Sequence, residues 1–156
     1  MRFSIVGWNF KNTPIDVRER LALSKGQQIE LGTLLKEKFK LGGIVILSTC
    51  NRTEFFLVNA EQKLHQIIEM LQKYWNIPEL RETVYTLQNI EASRHLFRVA
   101  SSLDSMVLGE PQILGQLKDT FHSFSEAGLT GKLLHPLFTR AFSSAKRVRT
   151  ETTVAS

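Results

Sequence analysis

A chain of 156 residues, 42% hydrophobic and 22% charged, is long enough to bury a core without staples and too apolar to be disordered. Twenty lysines and arginines against fifteen acids leave a net charge of +5, a mild excess that a solvated surface explains as well as an anionic partner does. No apolar run approaches the roughly 20 residues that span a bilayer, the N-terminus lacks the features of a signal peptide, and the single cysteine excludes an internal disulfide, so a reducing cytoplasm is the expected home.

The first strand is expected over Phe3 to Trp8, closed by Asn9 to Pro14. Ile15 to Ala22 reads as a short helix opened by Thr13-Pro14. Ser24 is placed to cap a longer helix from about Lys25 to Phe39, with Ile29, Leu34 and Leu35 on its inner face and Gly42-Gly43 as its end. Strands follow over Ile44 to Ser48 and Thr53 to Asn59. In Glu61 to Trp75 the residues Leu64, Ile67, Ile68 and Leu71 fall at helical spacing, and Asn76-Ile77-Pro78 stops the run. Glu82 to Leu87 alternates as a last strand.

This β-α-β-β-α-β order, with an additional helix in the first crossover, is that of a ferredoxin-like split unit. Beyond Asn89 the strand signal ceases. Ile90 to Leu103 is helical, with Leu96, Val99 and Leu103 on one side. Gly109-Glu110-Pro111 places Pro111 in the first turn of another helix, where Ile113, Leu117, Phe121 and Phe124 form an apolar stripe. Gly128 and Gly131 bracket a turn, and a final helix from about Leu133 turns Phe138, Ala141, Phe142, Ala145 and Val148 inward. The expected class is α+β: a ferredoxin-like βαββαβ lobe over residues 1–89 and a helical lobe over 90–156. Thr150 to Ser156 carry neither glycine nor proline as a C-cap, as expected of a piece of a longer protein.

Cys50 lies in Ser48-Thr49-Cys50-Asn51-Arg52-Thr53-Glu54, directly after the apolar Ile44-Val45-Ile46-Leu47. Free cysteine is among the most buried residue types, which favours a packing role. Strand ends are also where sites are built, and a nearby cation draws a thiol toward thiolate, which favours a nucleophile. Arg52 shares a face with Cys50 if the segment is extended. It suits a substrate carboxylate through paired hydrogen bonds, or a surface ion pair with Glu54 of about 0.2–1 kcal/mol. By itself His95 reads as a partly buried structural histidine on a helix. Lys146, Arg147 and Arg149 read as an exposed helix face or as phosphate contacts. No His, Cys, Asp and Glu cluster has metal-ligand spacing, so metal-free chemistry is expected. No Gly-x-Gly-x-x-Gly occurs.

Three segments resemble the signatures of the glutamyl-tRNA reductase family: Ser48 to Glu54, Leu103 to Gln116, and Ala145 to Thr152. Gly7 to Pro14 and Val17-Arg18-Glu19-Arg20 resemble its opening, so the likeness covers the whole chain in order and separation. The resemblance implies the N-terminal catalytic domain, with nicotinamide-binding and dimerisation domains beyond it. It implies that Cys50 attacks the glutamyl-tRNA ester to give a thioester, which NADPH held by a domain outside this chain reduces to glutamate-1-semialdehyde for tetrapyrrole synthesis. Arg52 would contact the substrate glutamate. Thr49, Asn51, Ser105, Glu110, Pro111, Gln112 and Gln116 would line its pocket, and His95 would stand near the reacting atoms. Implied partners are glutamyl-tRNA, a second copy of the whole enzyme and a glutamate-1-semialdehyde aminomutase, with no membrane. A competing expectation is a basic RNA-binding module with a packed cysteine. It lacks the alternating aromatics of an RNA-recognition strand, since Phe55-Phe56 are adjacent. A relative that binds a partner without turnover is a third.

Overall fold

Short runs rich in Val, Ile, Leu and Phe fit a pleated, buried surface, and four of them make the sheet at the centre of this molecule. The computed structural model describes residues 2–104 and 112–151. Among these the strands are β1 (Phe3–Asn9), β2 (Gly43–Ser48), β3 (Arg52–Val58) and β4 (Tyr85–Gln88). The helices are α1 (Ile15–Leu21), α2 (Lys25–Phe39), α3 (Leu64–Trp75), α4 (Leu80–Thr83), α5 (Ile90–Ala100), α6 (Gln112–Glu126) and α7 (Gly131–Glu151). The class is α+β. The sheet runs β2-β3-β1-β4 with every neighbouring pair antiparallel. Each β-α-β unit is thereby split by a strand of the other.

Both faces of the sheet are covered, so β1 and β3 are buried along their whole length. On one face Trp75 of α3 meets Trp8 and Phe55 edge-on, with ring centres 5.9 and 6.1 Å apart. The Trp8 indole N–H donates to the Leu80 carbonyl at 2.9 Å. On the other face Phe56 stacks with Phe3 and takes the edge of Phe138 from α7, and Phe121 of α6 stacks on Phe138 at 4.9 Å. The buried apolar residues form one contiguous core. Among the described residues no helix is long and apolar enough to cross a membrane.

Several expected elements shift for identifiable reasons. In α2 the Ser24 hydroxyl accepts from the Gln27 backbone N–H while the Gln27 side chain accepts from that of Ser24, a complete capping box. Its buried stripe is Gln28, Leu31, Gly32, Leu35 and Phe39, and Leu34 is 46% exposed. The stripe contains a glutamine and a glycine, so the apolar pattern alone points to the wrong face. The helix ends at Lys40 in the left-handed region (φ 52), and Gly43 opens β2 instead. Glu82-Thr83 belong to α4 rather than to a strand, because the turn is anchored by Leu80, fully buried and bonded to Trp8. Helix α5 stops at Ala100, leaving Leu103 in a turn, while Phe142 and Val148 of α7 are half-buried rather than inward. The expected helical position of Pro111 lies outside the described residues. On α7, Lys146 and Arg147 are exposed, and Arg147 pairs with Glu151 one turn on at 3.5 Å.

Gly32 is required by a close approach: a Cβ there would stand 2.6 Å from the ring of the fully buried Phe124. Gly26 on the same helix has nothing within 4 Å. Gly32→Val should lower the unfolding free energy by about 1–3 kcal/mol through overpacking, whereas Gly26→Ala should raise it by about 0.4–1 kcal/mol by restricting the unfolded chain. Urea denaturation of the two variants checks the opposite signs.

Candidate active site

The connection between β2 and β3 is a tight turn whose tip is Cys50. The strand ladder closes at Ser48 opposite Thr53, and the Thr49 N–H then donates to the Arg52 carbonyl at 2.8 Å. The Thr49 hydroxyl accepts from the backbone N–H groups of Asn51 and Arg52, each at 3.2 Å. The Phe10 N–H donates to the Asn51 carbonyl at 2.9 Å, tying the turn to the residue after β1. The backbone on either side of Cys50 is thus fixed while its side chain stands exposed. A packed thiol would be buried; this one is not.

Cys50, Thr49, Asn51 and Arg52 line a cleft of about 40 Å³ against Gln112, Ile113 and Gln116 of α6. The fold therefore brings six of the expected residues to one place, although they come from segments about sixty positions apart. Ser105, Glu110 and Pro111 lie outside the described residues. His95 does not line the cleft and belongs to a polar network that the sequence did not reveal.

Strand alternation puts Arg52 and Glu54 on the same face as Phe56, the one covered by α7, and both are almost fully buried. The Arg52 guanidinium donates through Nη1 to Asp104 Oδ2 at 3.1 Å and to Glu54 Oε1 at 3.4 Å, and through Nη2 to the Asp104 carbonyl. The Asp104 carboxylate also takes Lys11 Nζ at 2.7 Å. Glu54 Oε2 accepts from the Tyr85 hydroxyl at 2.5 Å and faces His95 Nε2 at 2.5 Å. In the sheet register Gly7 lies between Glu54 on β3 and Tyr85 on β4. A Cβ on Gly7 would fall 2.7 Å from the Tyr85 ring and hydroxyl. The missing side chain is what lets Tyr85 reach across β1 to the carboxylate.

Charge balance follows from these contacts. Burial alone would raise Glu54, but His95 and Arg52 beside it, with the Tyr85 hydroxyl, hold it below the ordinary carboxylate range. Asp104 is likewise lowered against its burial, by Lys11 and Arg52. Burial opposes the charge on Arg52, and the adjoining Glu54 and Asp104 outweigh it and raise the guanidinium further. Tyr85 is pushed well up by burial and then by Glu54, so it stays protonated and a donor. A carboxylate can only accept, so His95 must carry a proton on Nε2, which leaves Nδ1 as the acceptor of the neutral ring. Among the described residues no group of three or more His, Cys, Asp or Glu is placed to hold a metal ion.

The ion pair of Arg52 with Glu54 exists, but it is buried rather than on the surface, and its energetic class changes accordingly. Glu54 had a local signal: a second charge two positions after Arg52 in an otherwise apolar strand must find a partner. Asp104 had none, being 52 residues from Arg52. Because Glu54 and Asp104 sit below their unfolded values of about 4, their contribution to stability is complete above that pH and is lost as the pH falls through the lower, folded values. Glu54→Gln should cost about 3–5 kcal/mol at neutral pH by breaking a buried pair and should flatten the acid limb of stability against pH. Urea denaturation between neutrality and strong acid measures both, and an unchanged limb would show that Glu54 is not one of the groups responsible.

The family model for the glutamyl-tRNAGlu reductase N-terminal domain matches residues 6–152. The glutamyl-tRNA reductase of Marinomonas sp. (strain MWYL1) is 44% identical over 152 residues, covering 96% of this chain and 36% of that relative. The glutamyl-tRNA reductase of Neisseria gonorrhoeae (strain NCCP11945) is 44% identical over 156 residues, covering 99% and 37%. Among solved structures, glutamyl-tRNA reductase from Methanopyrus kandleri aligns with a TM-score of 0.83 at 30% identity, over 99% of this chain and 36% of that one. The chain thus spans little more than a third of the length of these relatives. With the family model matched along nearly its whole length and the fold shared, this chain belongs to the glutamyl-tRNA reductase N-terminal domain family.

Proposed function

We propose that this chain carries the acyl-transfer site of a glutamyl-tRNA reductase. The observation that supports it most is the exposed Cys50 thiol on a rigid turn, opening onto a cleft walled by polar side chains. As thiolate, Cys50 attacks the carbonyl that joins glutamate to the terminal ribose of tRNA. A carbon–sulfur bond forms, the carbon–oxygen bond breaks, and the proton lost by the thiol ends on the departing ribose oxygen. The glutamyl group remains as a thioester, which splits one difficult step into two easier ones. An RNA-binding module with a packed cysteine would have no use for an exposed thiol in a cleft.

The other residues take roles from their chemistry. His95 has its Nε2–H accepted by Glu54, which leaves Nδ1 as the basic nitrogen, and the family resemblance assigns it the proton passed from thiol to ribose oxygen. Arg52 borders the cleft with its guanidinium held by Glu54 and Asp104, and the family resemblance assigns it to the side-chain carboxylate of glutamate, which a guanidinium suits. Gln112 and Gln116 supply neutral hydrogen-bonding groups opposite Cys50. Thr49 and Asn51 bound the same cleft, although the Thr49 hydroxyl is also committed to the turn. Ser105, Glu110 and Pro111, which lie outside the described residues, are assigned to glutamate binding by the family resemblance alone.

The dinucleotide that the family implies does not fit these residues. The sheet is antiparallel throughout, and among the described residues no glycine-rich strand-to-helix turn is present to cradle a pyrophosphate. NADPH is therefore assigned to a part of the protein outside residues 1–156. Reduction of the thioester to glutamate-1-semialdehyde, for tetrapyrrole synthesis, is assigned to the whole protein. We also infer a ferredoxin-like lobe over residues 1–89, a helical lobe over 90–156, a homodimeric whole enzyme in the cytoplasm and product transfer to an aminomutase.

Mixing this chain with glutamyl-tRNA and quenching in acid should give one glutamyl adduct on Cys50 by mass spectrometry. Cys50→Ser should give none, because the serine hydroxyl has no strong base beside it; an adduct of unchanged yield would remove Cys50 from the reaction. Arg52→Lys should slow acylation by about 10–100-fold, the size of a lost charge-assisted hydrogen bond. Equal rates in single-turnover labelling would show that the guanidinium serves the fold alone.

A further inference from the structure

Helix α6 carries two stripes. The apolar one, from Ile113 to Phe124, enters the core. The second is polar: Gln116, Asp119, Thr120 and Ser123 recur at spacings of three, one and three, on a single face. A polar stripe on a helix ordinarily faces solvent. This one also borders a hollow of about 210 Å³ against the first turn of α2, lined there by Lys25, Gln28 and Ile29, while Gln116 and Asp119 remain exposed. Leu23 and Ile29 give it apolar sides, and Ser48 closes one end.

Part of the polar lining is structural. Gln28 donates to the Leu23 carbonyl at 3.0 Å, and Thr120 donates to the Ile46 carbonyl at 2.7 Å. Asp119 and Ser123 make no side-chain hydrogen bond among the described residues, and both line the hollow. An open hollow with apolar sides and a few convergent polar groups has the make-up of a ligand site.

Its position gives it a ligand. Gln116 is a wall of both this hollow and the Cys50 cleft, and the chain passes from Ser48 in one to Thr49 in the other. Another hollow, between α2 and α3 at Phe39 and Met70, shares no residue with either. In the proposed reaction a single oxygen separates the carbon attacked by Cys50 from a ribose. The alcohol half of the ester must therefore lie immediately beside the cleft that takes the acyl half.

We propose that the hollow between α2 and α6 binds the terminal nucleoside of the ester. The free ribose hydroxyl donates to the Asp119 carboxylate, the base lies against Leu23 and Ile29, and Lys25 at the rim meets the adjoining phosphodiester. The assignment rests on the acyl-transfer reading above, and it extends that reading by giving the leaving group its own site.

The test titrates this chain with the dinucleotide cytidylyladenosine and follows backbone amide shifts by NMR. Saturable shifts are expected in the first turn of α2 and along the polar stripe of α6. Ser123→Trp, which fills the hollow, should weaken binding by at least roughly tenfold. Asp119 is exposed, so Asp119→Asn does not endanger the fold. That variant should bind the dinucleotide only as weakly as the unaltered chain binds an analogue lacking the terminal ribose hydroxyls. Binding unchanged by Ser123→Trp, or no shifts at these residues, would overturn the proposal. Preferential binding of reduced nicotinamide mononucleotide would also overturn it, by assigning the hollow to the hydride donor. The readout does not involve the thiol: shifts without a glutamyl adduct on Cys50 would leave the nucleoside site standing and count against acyl transfer.

Discussion

Arg52 is the residue on which the site depends. It is the first residue of β3, at the base of the turn that carries Cys50, and it points into the protein rather than toward water. Removing a guanidinium and two carboxylates from solvent costs several kcal/mol per ion, and the cost is met only when every partner is in place. The partners come from three parts of the chain: Glu54 on the same strand, Asp104 after α5, and, through Asp104, Lys11 after β1. One buried cation thus locks three segments together directly beneath the thiol. A turn held only by its own backbone bonds would have no comparable restraint on its orientation.

The sheet prepares this arrangement in its register. Along the face covered by α7, the paired residues are Phe3 with Val58, Ile5 with Phe56, Gly7 with Glu54, and Asn9 with Arg52. The sequence of pairs runs from wholly apolar to wholly polar as the strands approach the turn. The apolar end supplies the packing that holds α7 in place through Phe138. The polar end supplies charges that need that same cover to stay dry. Gly7 stands at the changeover, and its empty side-chain position lets a residue from β4 complete the carboxylate's hydrogen bonds. The opposite face carries Trp8, Phe55 and Trp75 and remains an aromatic support.

What could be read in advance divides along the range of the interactions. The cap at Ser24, the stop at Asn76 and the turn between Gly128 and Gly131 are local, and the residues announce them. The Cys50 motif was legible because its chemistry is concentrated in seven consecutive residues. Leu34 was misplaced because Gln28 and Gly32 occupy the buried stripe for tertiary reasons, one to bond Leu23 and the other to admit Phe124. Asp104, Tyr85 and Lys11 could not be found, since each acts on a residue far away in the chain. Arg52 itself was visible as a charge beside a cysteine, but not as a buried one.

That burial bears on how the thiol would be activated. A free guanidinium next to Cys50 would stabilise a thiolate directly. Here the guanidinium lies within 3.4 Å of both the Glu54 and the Asp104 carboxylates, and Lys11 balances the second of these, so the group of four is neutral as a whole. Its net field at the turn tip is correspondingly weak. Glu54 links this charge group to His95, because one oxygen faces Arg52 while the other holds the histidine's Nε2–H. A carboxylate behind an imidazole fixes its tautomer and stabilises the imidazolium once a proton arrives. Under the acyl-transfer reading, the buried charges position the substrate's anchor and the proton carrier with one shared carboxylate.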